Sequence, residues 1–296
     1  MSYDSPTGHC VEDGDSVHFV DDGTVSFSHQ DPLVINEVLT NHYSNISQYM
    51  AANKFVINDD KTHLLVMAPR RMSENRNTVK IKAGEFIIRP SESERLLGIR
   101  VHQSMLWNEH IRDAEGSVIK QLTTRVNGLR KLTNRADFMT KLMIANGIIM
   151  SKLSYGLCMW GNCQGYLRKA LQVTQLNAAR AVCGYRSYYW STKRLLKTCN
   201  WLSVNQLYWQ QVLMTTHKIL SSGRPVNIHS RMVAKHQHGT RSASGVSRGF
   251  ENLAMTPSFN FSALEYNKLP AKMRETTSLA SFKNQLRTWV EQNIDV

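Results

Sequence analysis

The feature that most constrains the fold is a pair of adjacent aspartates, Asp21 and Asp22, between two short runs of apolar and β-branched residues. Residues 16–20 lead up to the pair, and residues 23–27 follow it, beginning with a glycine. This pattern predicts a β-hairpin with the two carboxylates at its tip. Two interpretations of the tip remain open. It is a solvated turn, for which Asp and Gly are the usual residues, or a Mg²⁺ site, because adjacent carboxylates repel each other unless a cation lies between them.

The charge of the chain favours a polyanionic partner. The 296 residues include 36 Lys and Arg against 23 Asp and Glu, which gives a formal net charge of +13. A hydrophobic content of 42% is typical of a folded protein, and the length suffices for a sizeable core and for two domains. Nucleic acid is the commonest polyanionic partner, although a generally basic surface would give the same net charge.

The composition also predicts an intracellular protein, in the nucleus or the cytoplasm. The first residues are polar and lack the apolar segment of a secretory signal. No apolar run has the length of a membrane span, so we expect no membrane partner. The five cysteines are odd in number and widely spaced, which is typical of reduced thiols. The sequence leaves the oligomeric state open.

The spacing of apolar residues predicts an α+β first part. Apolar residues recur at helical spacing over residues 32–53 and predict one amphipathic helix. Short β-rich runs predict strands at residues 55–57, 62–67, 79–82, 86–88 and 96–101. Together they predict a small antiparallel sheet with a helix packed on it.

Beyond residue 106 the pattern becomes helical. An apolar stripe over residues 111–132 predicts a helix whose opposite face is basic, and residues 136–160 are apolar on most sides, which predicts a buried helix. Ser203 is placed to cap a further helix. Residues 221–249 are rich in Ser, Gly, His and Arg and predict a linker.

Several of these segments resemble the reverse transcriptases of non-LTR retrotransposons, in the order of that family. Residues 19–22, Phe-Val-Asp-Asp, resemble the catalytic hairpin, residues 53–62 the next polymerase motif, and residues 95–111 the primer grip. Residues 152–161, with Tyr155 and Trp160-Gly161, are similar to the thumb signature. The similarity continues through the helices near residues 171–180 and 195–206 to a "Tyr-Asn-x-Leu-Pro" and "Ser-Leu-x-x-Phe-Lys" end, and so spans residues 17–289.

The resemblance implies a role for individual residues. Asp21 and Asp22 would bind catalytic Mg²⁺, and Lys61 would protonate the departing pyrophosphate as the general acid. Leu97 and Gly98 would contact the primer. The residues that would follow the nucleic-acid backbone along the thumb helix are Lys120, Arg125, Arg130 and Lys131. The implied partners are an RNA template with a DNA primer, or an RNA–DNA hybrid.

The domain organisation implied by the resemblance has four parts. Residues 1–105 would form a partial palm, 106–220 a helical thumb-like region, 221–249 a linker, and 250–296 a C-terminal region with a closing helix. A further catalytic aspartate and the nucleotide-positioning motif lie upstream of the hairpin in that family. We therefore expect a carboxyl-terminal fragment that does not polymerise DNA by itself. The alternatives are a non-catalytic RNA- or DNA-binding remnant and a relic without function.

Overall fold

The fold combines α and β structure and is mostly helical, in agreement with the α+β class predicted from the sequence. The structure is a computed structural model that describes residues 15–19, 22–68, 76–84, 86–132, 135–184, 187, 189–232, 262 and 265–295. The chain divides into two units, residues 1–106 and 107–296, which we describe separately. Among the described residues, no helix is long and apolar enough to cross a membrane.

The described residues of unit 1 form one long helix and eight short strands. The helix is α1, Pro32–Ala52. The strands are β1 Asp15–Phe19, β2 Asp22–Ser26, β3 Leu64–Leu65, β4 Ile81–Ala83, β5 Phe86–Ile88, β6 Pro90–Ser91, β7 Ser93–Leu96 and β8 Ile99–His102. The expectation of one small antiparallel sheet is wrong for the described residues. The strands pair only in twos; three pairs are antiparallel, and β3 pairs with β6 in parallel.

Helix α1 forms as predicted. The cap at its C-terminal end explains why the strand expected at residues 55–57 does not form. Asp31 caps the start of the helix by accepting a hydrogen bond from the Leu33 N–H at 2.8 Å. At the other end Lys54 takes a left-handed conformation with φ of 62°. The Lys54 N–H donates to Ala51 O at 3.0 Å, and the Phe55 N–H donates to Met50 O at 2.8 Å. This is a Schellman cap; because it uses the Phe55 N–H, that group is not available to a β-ladder.

All the regular secondary structure among the described residues of unit 2 is helical. After a π-helical turn at Glu109–Asp113, its helices are α2 Val118–Arg130, α3 Phe138–Ala145, α4 Ser151–Ser154, α5 Leu157–Trp160, α6 Gly165–Cys183, α7 Thr192–Cys199, α8 Val204–Ser222, α9 Val226–Met232, α10 Ala271–Arg274 and α11 Leu279–Asn293. Helix α9 corrects the expectation of a linker from residue 221, and residues 233–249 lie outside the described residues.

The apolar stripe of α2 is confirmed as the buried face. Val118, Leu122, Val126 and Leu129 are each no more than about 2% exposed. They pack toward α6 and the segment that contains α3 and α4. A buried stripe of this width fixes the orientation of the helix, so the opposite face, with Lys120 and Arg130, points to solvent.

The helix expected over residues 136–160 forms only in part, and it is not buried on most sides. Its backbone stays helical from Phe138 through a π-helical turn at Asn146–Met150 to Ser154, and Gly156, at φ of 64°, separates it from the short α5. Only one side is buried, whereas Met139 and Met143 are 62% and 71% exposed. The composition is apolar on all sides, but the described neighbours of α3, which include α2 and α6, cover only one side.

Helix α8 begins where the sequence predicts. The Ser203 hydroxyl accepts from the Gln206 N–H at 3.2 Å, and the Gln206 side chain accepts from the Ser203 N–H at 3.0 Å, which completes a capping box. The Gln206 amide also donates to Ile294 O at 2.9 Å and so ties the chain end to α8. The apolar cluster between α8 and the C-terminal residues consists of Leu213, Tyr266, Leu269, Met273, Phe282, Leu286 and Val290.

A buried histidine at this cluster predicts how stability depends on pH. Tyr266 donates its hydroxyl to His217 Nδ1 at 2.8 Å, His217 Nε2–H donates to Thr276 O at 2.9 Å, and the ring stacks on Phe282 with centroids 3.8 Å apart. Burial lowers the pKa of His217, against a smaller opposing effect of the Thr276 carbonyl. The unfolded chain therefore binds a proton at this histidine more readily than the folded chain does. The contribution of His217 to the free energy of unfolding is fully present above the unfolded pKa of about 6.5 and decreases as the pH falls below that value.

We expect the melting temperature of the protein to fall between about pH 7.5 and about pH 5.5, and the His217→Gln variant to show a smaller fall. His42 in unit 1 contributes in the same direction, because burial also lowers its pKa. For that reason the informative quantity is the difference between the wild type and the variant, measured by circular dichroism at each pH. An equal fall in both proteins would contradict the assignment.

Candidate nucleic-acid interface

The hairpin at the N-terminal end of the described chain forms as the sequence predicts. Strands β1 and β2 are antiparallel, and Phe19 pairs with Asp22. Asp22 is exposed at the first position of β2, and Asp21 lies outside the described residues. Among the described residues, no three His, Cys, Asp or Glu side chains group to hold a metal ion. The Mg²⁺ site at Asp21 and Asp22 stays a prediction.

Lys61 lies at the end of a short 3₁₀ turn, Asp59–Lys61. Its backbone N–H donates to Asn58 O at 3.1 Å, and its side chain is exposed. Asp60, also exposed, immediately precedes it. The turn presents a cation to solvent beside a carboxylate, and the role of Lys61 as a general acid stays a prediction.

Leu97 and Gly98 form the two-residue turn between β7 and β8. The flanking residues Leu96 and Ile99 pair with each other, and both turn residues have positive φ, 46° for Leu97 and 79° for Gly98. Such a turn favours Asn, Asp or Gly at its first position, because a side chain with a Cβ is strained there. Leu97 occupies that position and is 42% exposed. A strained, partly exposed apolar residue at a hairpin tip fits a contact residue better than a core residue.

The Leu97→Asn variant is expected to raise the free energy of unfolding of unit 1 by about 0.5–1 kcal/mol, because asparagine accepts left-handed backbone more readily than leucine. Urea denaturation of the two proteins measures the difference. The matched control is Leu96→Asn, since Leu96 has similar exposure but lies in β7 without positive φ. Stabilisation by both changes, or by neither, would contradict strain at Leu97.

The four basic residues expected on the thumb-like helix divide into two kinds. Lys120, Arg130 and Lys131 are exposed; Lys120 Nζ donates to Asp113 O at 3.0 Å, and Arg130 donates to Asn127 Oδ1 at 3.2 Å. Arg125 is half-buried, and its guanidinium donates to Ile148 O. This bond joins α2 to the π-helical turn at Asn146–Met150, so Arg125 has a structural role whether or not it meets a ligand.

The distribution of charge is the feature that the sequence prediction missed. Between Glu115 and Glu251 the chain contains twenty lysines and arginines and a single acidic residue, Asp137. Residues 1–106 contain ten lysines and arginines against fourteen aspartates and glutamates. The basic excess of the whole chain therefore belongs to unit 2. The net charge of the chain conceals this asymmetry, but a comparison of charge between segments reveals it.

Many of these cations lie on the surface of unit 2. The exposed lysines and arginines of the described residues between Glu115 and Glu251 are Lys120, Arg130, Lys131, Arg135, Lys169, Lys193, Arg194, Lys197, Lys218 and Arg224. Asp137, the one carboxylate of the segment, accepts from the Thr140 N–H at 2.7 Å as the cap of α3, and this bond lowers its pKa. So many like charges repel each other unless an anion offsets them.

In comparisons with known proteins, no protein-family model, curated protein or solved structure matches the chain.

Proposed function

We propose that unit 2 binds the phosphate backbone of nucleic acid. The observation that carries the proposal is the segment between Glu115 and Glu251, with twenty cations and one carboxylate. A protein surface with this excess of one sign attracts a polyanion over long distances and gains affinity by releasing the counterions of the phosphates. An ordinary solvated surface carries both basic and acidic residues. Residues 1–106 contain such a mixture.

The proposed ligand is an RNA–DNA hybrid or an RNA duplex, bound with little sequence preference. Scattered lysines and arginines on helices suit contacts to phosphate and sugar, which carry no sequence information. An A-form duplex is recognised mostly by its shape and its backbone. The exposed residues Lys120, Arg130 and Lys131 are the proposed contacts on and beside α2.

We propose further that the chain is related to the reverse transcriptases of non-LTR retrotransposons. The order of the sequence motifs supports this origin, and so do the hairpin that leads to Asp22 and the turn at Leu97 and Gly98. The parent activity would be RNA-directed DNA polymerisation, with an RNA template, a DNA primer and Mg²⁺. We expect the chain alone not to extend a primer. Two-metal catalysis needs both ions held at a fixed spacing, and the further catalytic aspartate of that family lies upstream of the hairpin.

Binding is tested by fluorescence anisotropy with a labelled RNA–DNA hybrid. The affinity is expected to fall by several powers of ten between about 50 mM and about 200 mM salt, and equally for hybrids of unrelated sequence. Weak binding at low salt, or binding that does not change with salt, would contradict the proposal. A chain that shows no cooperative thermal unfolding would be the relic without function.

Nucleotide incorporation on a primed RNA template separates the two remaining alternatives. A non-catalytic binding protein gives a salt-dependent complex and no extension with Mg²⁺ or Mn²⁺. Extension that is abolished by Asp22→Asn would instead make the chain a polymerase and overturn our expectation.

A further inference from the structure

A solvent-exposed aromatic ring lies next to the basic helix α7. Tyr189, in the connection between α6 and α7, is 88% exposed. Tyrosine usually buries most of its ring, because the ring contributes a large apolar area to a core or an interface. A ring this exposed offers a flat surface on which another ring can stack.

The residues after Tyr189 are fixed to α7. The guanidinium carbon of Arg194 lies 4.2 Å from the centroid of the Trp190 ring, a cation–π contact. The Ser191 hydroxyl accepts from the Arg194 N–H at 3.3 Å and caps the helix. The connection is therefore ordered against the helix rather than independent of it, and it carries Tyr189 beside the first turn of α7.

Helix α7 carries its cations where they are unfavourable for the helix itself. Leu195, Leu196 and Cys199 are buried, whereas Lys193, Arg194 and Lys197 are exposed. Lys193 and Arg194 lie in the first turn, at the positive end of the helix dipole, and no acidic residue is present there. Lys193 and Lys197 are also four residues apart, a spacing at which like charges repel.

The neighbouring helix does not neutralise this charge. Helix α6 packs against α7, and its charged residues are Arg168, Lys169 and Arg180, with no acidic residue. An anion bound along the exposed side of α7 would offset the repulsion and the unfavourable dipole together. The surface formed by Tyr189, Lys193, Arg194 and Lys197, which we call the α7 surface, therefore combines a stacking ring with cations that form no ion pair with another described residue.

We propose that the α7 surface binds an unpaired strand of nucleic acid, with a base stacked on Tyr189 and phosphates held by Lys193, Arg194 and Lys197. This inference rests on the proposed function of unit 2 and adds the strand type. In a duplex the bases stack on one another and their faces are not accessible, so an exposed ring gains a partner only from an unpaired base. Stacking tolerates any base, which agrees with binding independent of sequence.

The test uses the full chain and two labelled probes, an unstructured RNA of about 12 nucleotides and the RNA–DNA hybrid. The Tyr189→Ala variant is expected to bind the single strand about tenfold more weakly and the hybrid unchanged. The Tyr189→Phe variant keeps the ring face and should bind the single strand like the wild type. Tyr49→Ala is the matched control, because Tyr49 is 42% exposed in unit 1, and it should change neither affinity.

Three outcomes would overturn the inference: equal single-strand affinity of Tyr189→Ala and wild type, an equal loss for both probes, or a Tyr189-dependent affinity for anionic phospholipid vesicles in place of RNA. Thermal unfolding checks that Tyr189→Ala folds normally, as expected for so exposed a side chain. If the hybrid binds and Tyr189 has no effect, the inference fails alone. If only the single strand binds, in a Tyr189-dependent manner, the hybrid proposal fails and the α7 surface stands.

Discussion

The Gly161→Ala variant is expected to lose about 3 kcal/mol of unfolding free energy, which corresponds to roughly 6–12 °C in melting temperature for a unit of this size. A Cβ on Gly161 would lie 2.6 Å from Leu157 O and would overlap the ring of Tyr208, whose Cγ would be 3.0 Å away. Tyr208 is only 2% exposed, so a displacement of its ring would disturb the side chains packed around it. Differential scanning calorimetry measures the loss.

The control for this substitution is Gly128→Ala. Gly128 lies within α2, and an added Cβ would meet nothing within 4 Å. Because alanine favours a helix over glycine, this variant should gain up to about 1 kcal/mol. An unchanged melting temperature for Gly161→Ala would show that the α5–α8 contact is looser than described. The same contact gives a physical reason for the Trp160-Gly161 pair. Trp160 is fully buried, and the Tyr208 ring packs against Gly161 because glycine has no Cβ.

The triple variant Lys120→Gln, Arg130→Gln, Lys131→Gln is expected to bind an RNA–DNA hybrid about 10- to 100-fold more weakly at about 100 mM salt. Each lost phosphate contact removes roughly one unit from the slope of log affinity against log salt, so the slope should fall by about 2–3. All three side chains are exposed, and their substitution should leave folding almost unchanged. Anisotropy titrations at several salt concentrations measure both quantities.

The matched control removes three exposed cations from unit 1, with Lys54→Gln, Lys80→Gln and Arg89→Gln. It makes the same change in net charge and should leave the salt slope within about half a unit of the wild type, because these side chains are not proposed to meet phosphates. Equal losses in both triple variants would show that net charge alone governs binding. A loss confined to the control would move the interface to unit 1.

Local signals in the sequence predicted the elements that depend on neighbouring residues. Strands β1 and β2 pair as predicted because the signal for two antiparallel strands lies within a few residues of sequence. The cap of α8 at Ser203 follows from the Ser-x-x-Gln spacing. The stripe of α2 is buried as predicted, since a helix with one continuous apolar side packs that side inward.

The predictions that were wrong concern residues whose structure is decided by contacts with other parts of the chain. The run Phe55-Val56-Ile57 has strand composition, but its first N–H completes the cap of α1. Met139 and Met143 are apolar yet exposed, because burial depends on which neighbours cover a side. Arg125 could not be distinguished from the other cations of α2, since its bond to Ile148 O joins residues far apart in the chain.

The candidate site was also predictable only in part, because some of its features depend on the backbone and on neighbours in space. The sequence located the turn at Leu97 and Gly98, but the left-handed strain of Leu97 is a property of the backbone that composition does not report. The α7 surface was missed because its signal is spatial: Tyr189 is exposed, whereas tyrosine usually buries most of its ring in a core or an interface. The charge asymmetry of unit 2 was readable from sequence alone, by comparing segments.

The most direct test of nucleic-acid binding by unit 2 is lysine footprinting of the full chain with and without the hybrid. Exposed lysines are acetylated and quantified by mass spectrometry. Our account predicts that the hybrid protects exposed lysines between Glu115 and Glu251, with Lys120 and Lys131 first among them, and leaves Lys54, Lys80 and Lys82 as reactive as in the free protein. Protection of the three unit 1 lysines, with Lys120 and Lys131 unchanged, would contradict it.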